Sequence, residues 1–374
     1  MNRPIRILIH GMTANVGGLE TFLMGYYRNV NPEKIQFDFL CVNDKPAYYQ
    51  EIIKRGSKVY IIPGRRRYIT YYRKLTSIFK KNKYDVFWSN RSNLAGTSLL
   101  FKIAFKQKVP VRIIHAHSTG SVGHWVYSGL FMHRIEMFWI LKLATDFWAC
   151  SSEAACYYFG KKFLKLATFK LIHNAIDNDK FNFNKQYRDI TRESLSLSDK
   201  LVIGHIGMFG YAKNHNFVVR IFHEIYKKES NAVLLLVGDG KLRSEIETKV
   251  KFLCLKEVVH FLGIRSDIPA LLNAMDIFLF PSKFEGLGIA LIEAQATSLR
   301  CFASTTVPSA AAITNLLSFV DLQKKPEEWA NIILSKRNYD RIDMTEEIQR
   351  ARYDIKTQAT ELEHFLFKRV EQIR

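Results

Sequence analysis

The stretch Gly263–Ala296, GIRSDIPALLNAMDIFLFPSKFEGLGIALIEAQA, decides the fold. It predicts a strand at Ile277–Phe280, a loop opened by Pro281 and carrying Gly286 and Gly288, and then a helix. An uninterrupted apolar strand followed by a helix belongs to a parallel sheet covered on both faces. Glu285 falls in the loop and Glu293 in the helix, with seven residues between them, about two helical turns if that segment is helical. A loop carboxylate can accept hydrogen bonds from sugar hydroxyls, and one in the helix can reach a ribose. The competing reading is a loop Glu and a surface Glu with no common task. Glu293 speaks against it, because it sits among Ala290, Leu291, Ile292, Ala294 and Ala296, where a carboxylate usually has a partner.

Outward from this stretch the same alternation recurs. Strands are expected at Leu201–Ile206, Val233–Val237, Val258–Phe261 and Leu299–Ala303, with a helix near 214–228. Upstream, strands are expected at Ile5–Ile9, Phe37–Val42, Val59–Ile62, Val86–Ser89, Val111–His115 and Phe147–Ala149. Helical stretches lie at Leu19–Asn29, Pro46–Arg55, Tyr68–Lys81 and Ser92–Phe105. The pattern is that of doubly wound α/β domains, restarted once. With 374 residues the chain exceeds what one core usually serves. The expected division is 1–180, 181–345 and a helical tail, 346–374, that crosses the domains and returns toward the first. Two such domains make a cleft at the carboxyl ends of their sheets, where ligands of these folds bind.

Further motifs follow strands. Gly17-Gly18-Leu19-Glu20 precedes a helix, and its glycines would let a phosphate approach the backbone and the helix N-terminus. An ordinary strand-to-helix turn is the alternative. Lys213, after the loop that contains Met208, can neutralise a diphosphate or simply be one more solvated lysine. Gly238-Asp239-Gly240 makes a tight turn over which a nucleobase could stack. His115 and His117 end a strand on one face, as hydrogen-bond donors, structural histidines or, least favoured, a metal pair with no third ligand nearby. Asp177-Asn178-Asp179 has the spacing of a metal-binding DxD but lies in the linker, not at a strand end.

Composition bounds the partners. Lys and Arg exceed Asp and Glu by 55 − 35 = 20. That favours an anionic partner: nucleic acid, anionic lipid or a phosphorylated substrate. The basic residues Arg65, Arg66, Arg67, Arg73, Lys74, Lys80 and Lys81 are interleaved with Tyr68, Tyr71, Tyr72, Leu75, Ile78 and Phe79. A basic amphipathic helix of this kind suits an anionic membrane surface, against a solvated basic face with a core-facing stripe. The five cysteines lack any CxxC pair and read as reduced, mostly buried thiols. The N-terminus does not read as a signal peptide, and no apolar run reaches a membrane span.

In order and spacing, Gly263–Ala296, HIGMFGYAKNHNF (205–217), VGDGKL (237–242), HNAID (173–177) and GGLE (17–20) resemble the GT-B fold retaining glycosyltransferases of the group 1, family 4 class. The likeness is greatest to bacterial capsular and exopolysaccharide enzymes and runs over roughly residues 5–335. It implies that Glu293 holds the donor ribose and Glu285 the donor sugar, with backbone from Gly286, Leu287 and Gly288 near sugar or phosphate. Lys213 would bind the diphosphate, approached by Gly17 and Gly18, while Met208, Gly238 and Asp239 would line the donor site. His115 or His117 matches the class's cleft histidine, with His117 preferred for catalysis. It also implies a metal-independent reaction that retains anomeric configuration and needs no cofactor. The donor would be a UDP-sugar, the acceptor a polyprenyl-diphosphate-linked saccharide. The protein would be cytoplasmic, peripheral on the inner face of the plasma membrane.

The chain departs from the class at Met208, where an Arg is usual. Losing a charged hydrogen-bonding partner of a phosphate costs on the order of 1.5–3 kcal/mol, roughly 10- to 150-fold in rate if uncompensated. Arg300 is a candidate compensating cation or merely the start of a strand. A non-catalytic binding subunit of a polysaccharide assembly complex is therefore the alternative. An epimerase or phosphorylase on the same fold and a nucleic-acid-binding protein are further rivals, for which the sequence offers no pattern or module.

Overall fold

The computed structural model describes residues 3–91, 96–117 and 126–373, with side chains described for all of these except 91 and 126–134. The expected turn Ser118-Thr119-Gly120 and the expected helix start at Ser92 lie outside the described residues. The chain divides into two compact units, Met1–Ala175 with Ile355–Arg374, and Ile176–Asp354. Residues 176–180 and 346–354 thus fall in the second unit, where the Ile176 N–H donates to the Tyr353 carbonyl at 2.8 Å.

The first unit runs β1 (Ile5–His10), α1 (Gly18–Asn29), β2 (Ile35–Val42), α2 (Tyr49–Lys54), β3 (Val59–Ile62), α3 (Tyr68–Asn82), β4 (Val86–Arg91), α4 (Ser98–Lys106), β5 (Val111–Ala116), α5 (Val126–Leu143), β6 (Asp146–Ala149), α6 (Ser152–Tyr158) and β7 (Phe169–Leu171). The second runs α7 (Lys185–Ser194), β8 (Leu201–Ile206), α8 (His215–Lys228), β9 (Ala232–Val237), α9 (Arg243–Phe252), β10 (Val259–Gly263), α10 (Ile268–Ala274), β11 (Ile277–Phe280), α11 (Ile289–Ala296), β12 (Arg300–Ser304), β13 (Leu317–Val320), α12 (Pro326–Ser335) and α13 (Thr345–Arg350). The last helix, α14 (Ile355–Ile373), belongs to the first unit.

Both sheets are parallel, in the orders β3-β2-β1-β4-β5-β6-β7 and β10-β9-β8-β11-β12-β13. Successive residues face opposite sides. Ile7 and Ile9 pack with α1 and α14, through Phe22, Leu362 and Leu366, while Leu8 packs with α3 and α4, through Leu75 and Phe101. Helices on both faces explain why β9 (AVLLLV) is buried at every position. Each order reverses once, between β1 and β4 and between β8 and β11, and ligands of doubly wound folds bind outside the strand ends at such points.

The structure corrects the reading of the basic helix. Tyr71, Leu75, Ile78 and Phe79 of α3 are buried in the first unit's core. That stripe is therefore spent on the fold; the exposed face is cationic beyond the first turn, where Tyr68 and Ile69 stand exposed, and Arg65, Arg66 and Arg67 lie just ahead of it in an exposed 3-10 turn. The thiols differ too: Cys41 and Cys301 are buried, but Cys254 is exposed.

Candidate functional site

In the second unit, the reversal of strand order sets two loops side by side at the strand ends. One follows β8 (207–214), the other β11 (281–288). Three contacts pin them together. The Lys283 N–H donates to the Ala212 carbonyl at 2.7 Å, Asn214 Nδ2 to the Pro281 carbonyl at 3.0 Å, and Lys213 Nζ lies 2.7 Å from Glu285 Oε1. Asn214 holds a left-handed conformation (φ 56°) that ends the loop and starts α8, a role asparagine tolerates better than most residues. The Lys213 stem crosses Gly207, where a Cβ would come within 2.9 Å of it, and its ammonium sits 4.3 Å from the centre of the Phe280 ring. The topology thus brings together a cation and a carboxylate 72 residues apart (285 − 213).

α11 begins at Ile289, so Glu285 lies in the loop and only Glu293 is helical. Burial pushes the Glu293 carboxyl up to about 7, against the opposing pull of Lys213. Gly286 faces open space, and Gly288 adopts φ 81° at the N-terminus of α11. The Leu287 side chain packs inward beside Ile292, leaving its backbone toward the loop.

The glycines of Gly238-Asp239-Gly240 are required by packing. A Cβ on Gly238 would lie 2.2 Å from the Gly207 carbonyl oxygen, and one on Gly240 2.6 Å from that of Phe209. The two loops close on each other, with Phe209 N–H donating to the Asp239 carbonyl at 3.0 Å. The Asp239 carboxylate accepts from the Gly240 N–H at 2.7 Å and faces Arg243 at 3.4 Å. Met208 is 70% exposed on this loop. Arg300 cannot stand in for a cation there. It opens β12, at the opposite end of the sheet, and its guanidinium lies 4.7 Å from the Tyr339 ring centre.

In the first unit, the reversal between β1 and β4 places Gly11 and Asn90 at neighbouring strand ends, with His117 just past β5. His117 Nε2 lies 2.9 Å from Asn90 Oδ1, and its ring meets the edge of Phe22. His115 stacks on Trp88 and is fully buried, so its expected direct contact with the donor is withdrawn. It backs His117 instead, with ring centres 4.0 Å apart. Burial pushes His117 down to about 3 and His115 well below its ordinary value, so both imidazoles are neutral near pH 7. Gly17 and Gly18 are exposed at the N-terminus of α1. Glu20 turns back to accept from the Thr13 N–H at 2.9 Å and its hydroxyl at 2.8 Å, which fixes the loop ahead of the helix. The roles of Asn90, Asn214 and Glu20 in holding these loops are not legible from spacing, although an acid in a helix's first turn is a recognisable signal for Glu20.

Two family models match the chain. "Glycosyltransferase Family 4" covers residues 16–180, and "Glycosyl transferases group 1" covers residues 187–335. The putative glycosyltransferase EpsF of Bacillus subtilis is 31% identical over 345 residues, covering 89% of this chain and 88% of that protein. The UDP-Gal:alpha-D-GlcNAc-diphosphoundecaprenol alpha-1,3-galactosyltransferase of Escherichia coli is 23% identical, with 77% and 76% covered. Among solved structures, Anabaena Alr3699/HepE in complex with UDP superposes with a TM-score of 0.72 at 16% identity, over 99% of this chain and 98% of that one. That likeness shows the GT-B fold of two Rossmann-like domains.

Proposed function

The chain belongs to the group 1 glycosyltransferases, and from that premise we propose that it moves a sugar from UDP to a lipid-linked saccharide in surface polysaccharide biosynthesis. The observation that carries the reading is the Lys213–Glu285 pair at the switch point of the second sheet. In this reading Lys213 and the N-terminus of α11 stabilise the departing diphosphate, which makes the transfer independent of a metal. Glu285 accepts from hydroxyls of the donor sugar. Glu293 accepts from the ribose, and the backbone of Gly286, Leu287 and Gly288 lines the donor. Gly17 and Gly18 offer free N–H groups, and neutral His117, held by Asn90, provides a hydrogen bond without competing for the phosphate as a cation. The reaction retains anomeric configuration, with positioning and electrostatics as the protein's contribution. The EpsF likeness, together with an acceptor of the diphosphoundecaprenol type named for the Escherichia coli relative, supports this assignment.

No described helix is long and apolar enough to cross a membrane. A cytoplasmic protein bound peripherally to the inner membrane face through Arg65–Lys81 is part of the proposal. The test is release of UDP from a panel of UDP-sugars, with and without EDTA and with extracted polyprenyl-linked lipids as acceptor. Release from one UDP-sugar that persists in EDTA is expected; release only with added metal contradicts it.

The exposed Met208 favours a second reading, a binding subunit without turnover. Met208→Arg separates the two. A weakened enzyme gains about 10- to 150-fold in kcat/KM, the reverse of the cost of a missing phosphate hydrogen bond, whereas a binding subunit gains none.

A further inference from the structure

Between Glu51 and Asp146 the chain carries 18 Lys and Arg and only two acids, Asp85 and Glu136. Both acids are turned inward. Asp85 is 3% exposed and paired with Arg3, and Glu136 is 7% exposed and accepts from the Ser98 N–H at 2.7 Å. This stretch therefore offers its surroundings no described surface carboxylate. Within it, α3 touches α4 and α4 touches α5 on the same side of the sheet.

Over its described side chains, from Ile135 to Leu143, the exposed face of α5 is apolar but for Lys142, where a solvated helix would be polar. Ile135, Phe138, Trp139 and Leu141 are exposed, as is Phe105 of α4. Ile135, Phe138, Trp139 and Lys142 fall at i, i+3, i+4 and i+7, on one helix face. Each exposed ring is capped by a cation. Lys102 Nζ sits 3.8 Å from the centre of the Trp139 ring, Lys142 Nζ 4.2 Å from that of Phe138, and the Arg112 guanidinium 5.3 Å from that of Phe105.

We propose that the α4–α5 face, and not the apolar stripe of α3, enters the interface of an anionic phospholipid bilayer, while the cationic face of α3 binds the headgroups. The inference rests on the membrane-bound reading above and names the element that makes the contact. Aromatic rings topped by lysines match the depth profile of that interface, with rings at the acyl boundary and ammonium groups at the phosphates. A second copy of this chain fits poorly, because two such faces would set cation against cation. A soluble polyanion satisfies the charges but leaves the rings in water.

The experiment is flotation of the full chain with phosphatidylglycerol and phosphatidylcholine vesicles, read together with fluorescence quenching by brominated phosphatidylglycerol. Binding to the anionic vesicles and quenching that falls in Trp139→Phe are expected. Phe138→Ala with Trp139→Ala should lower the partition coefficient by about tenfold to a hundredfold, since two partly buried rings are lost. Arg73→Gln, Lys74→Gln, Lys80→Gln and Lys81→Gln together should weaken binding and flatten its salt dependence. Full binding by the aromatic double variant overturns the proposal. So does failure of the wild type to float, or a concentration-dependent dimer that the double variant abolishes. A UDP-induced thermal shift, recorded on each variant, reports the donor site separately. Its loss in every form would contradict the donor reading, while its persistence beside failed flotation contradicts only the surface.

Discussion

Lys213 and Glu285 stand 2.7 Å apart and partly buried. A diphosphate arriving at Lys213 competes with Glu285 for the same ammonium, and Glu285 is freed toward a hydroxyl donor. Lys213→Ala should therefore weaken UDP binding about 10- to 150-fold, the weight of a charge-assisted hydrogen bond. Titration calorimetry would measure it. Glu293 makes an opposite trade, because a carboxyl raised to about 7 is held against its ionisation by burial. Its folded value lies above its unfolded one. The associated stability is present at low pH and is lost as pH rises through about 7. Glu293→Gln should then gain up to about 3 kcal/mol over the wild type at pH 8, with the difference fading toward pH 4.5. Over the same range UDP affinity should rise with pH more steeply in the wild type than in the variant, because the terminal phosphate of UDP titrates against both proteins but the carboxylate becomes the better ribose acceptor only in the wild type. Thermal melts with and without UDP at pH 5, 6, 7 and 8 check both. The sequence made Glu285, Glu293 and Lys213 legible because each sits at a fixed offset from a strand. It could not separate His115 from His117, since that choice depends on Trp88 covering one ring and Asn90 reaching the other across the sheet.

The elements matter through how tightly their loops meet. Gly238 has φ 131° and no room for a Cβ beside the Gly207 carbonyl. Gly238→Ala should cost about 2–4 kcal/mol, strain and clash together, and lower UDP binding by shifting the loop that carries Lys213. A melting curve and a UDP titration on the same sample would show both losses. The strands expected from apolar runs match observed ones, because a buried parallel strand announces itself as an unbroken run. Two others, β7 (FKL) and β13 (LSFV), escaped notice. Both are short edge strands whose residues, Val320 apart, are half-buried, so their pattern is little different from a loop's. The stripe of α3 was visible, but not what it faces. An amphipathic period fixes which residues share a side, while the neighbouring sheet decides whether that side meets core or membrane.

At the scale of the whole chain, the tail shows that sequence order and structural order differ. α13 stays with the second unit, while α14 returns to the first, where Leu362, Leu366 and Val370 join its core and Arg369 reaches Asp146 at 2.8 Å. Leu366→Ala should destabilise the first unit by about 2–5 kcal/mol, seen as a lower melting transition with UDP protection of the second unit retained. The net charge of +20 is concentrated in the first unit, while the second unit carries most of the proposed donor residues. The central claim is that the second unit binds the diphosphate of a nucleotide donor through Lys213 without a metal. Calorimetric titration of UDP into the wild type and Lys213→Ala, both in EDTA, tests it most directly. Binding by the wild type that falls at least about tenfold in the variant is the predicted result. Absent binding by folded wild type, or equal binding by the two proteins, would contradict it.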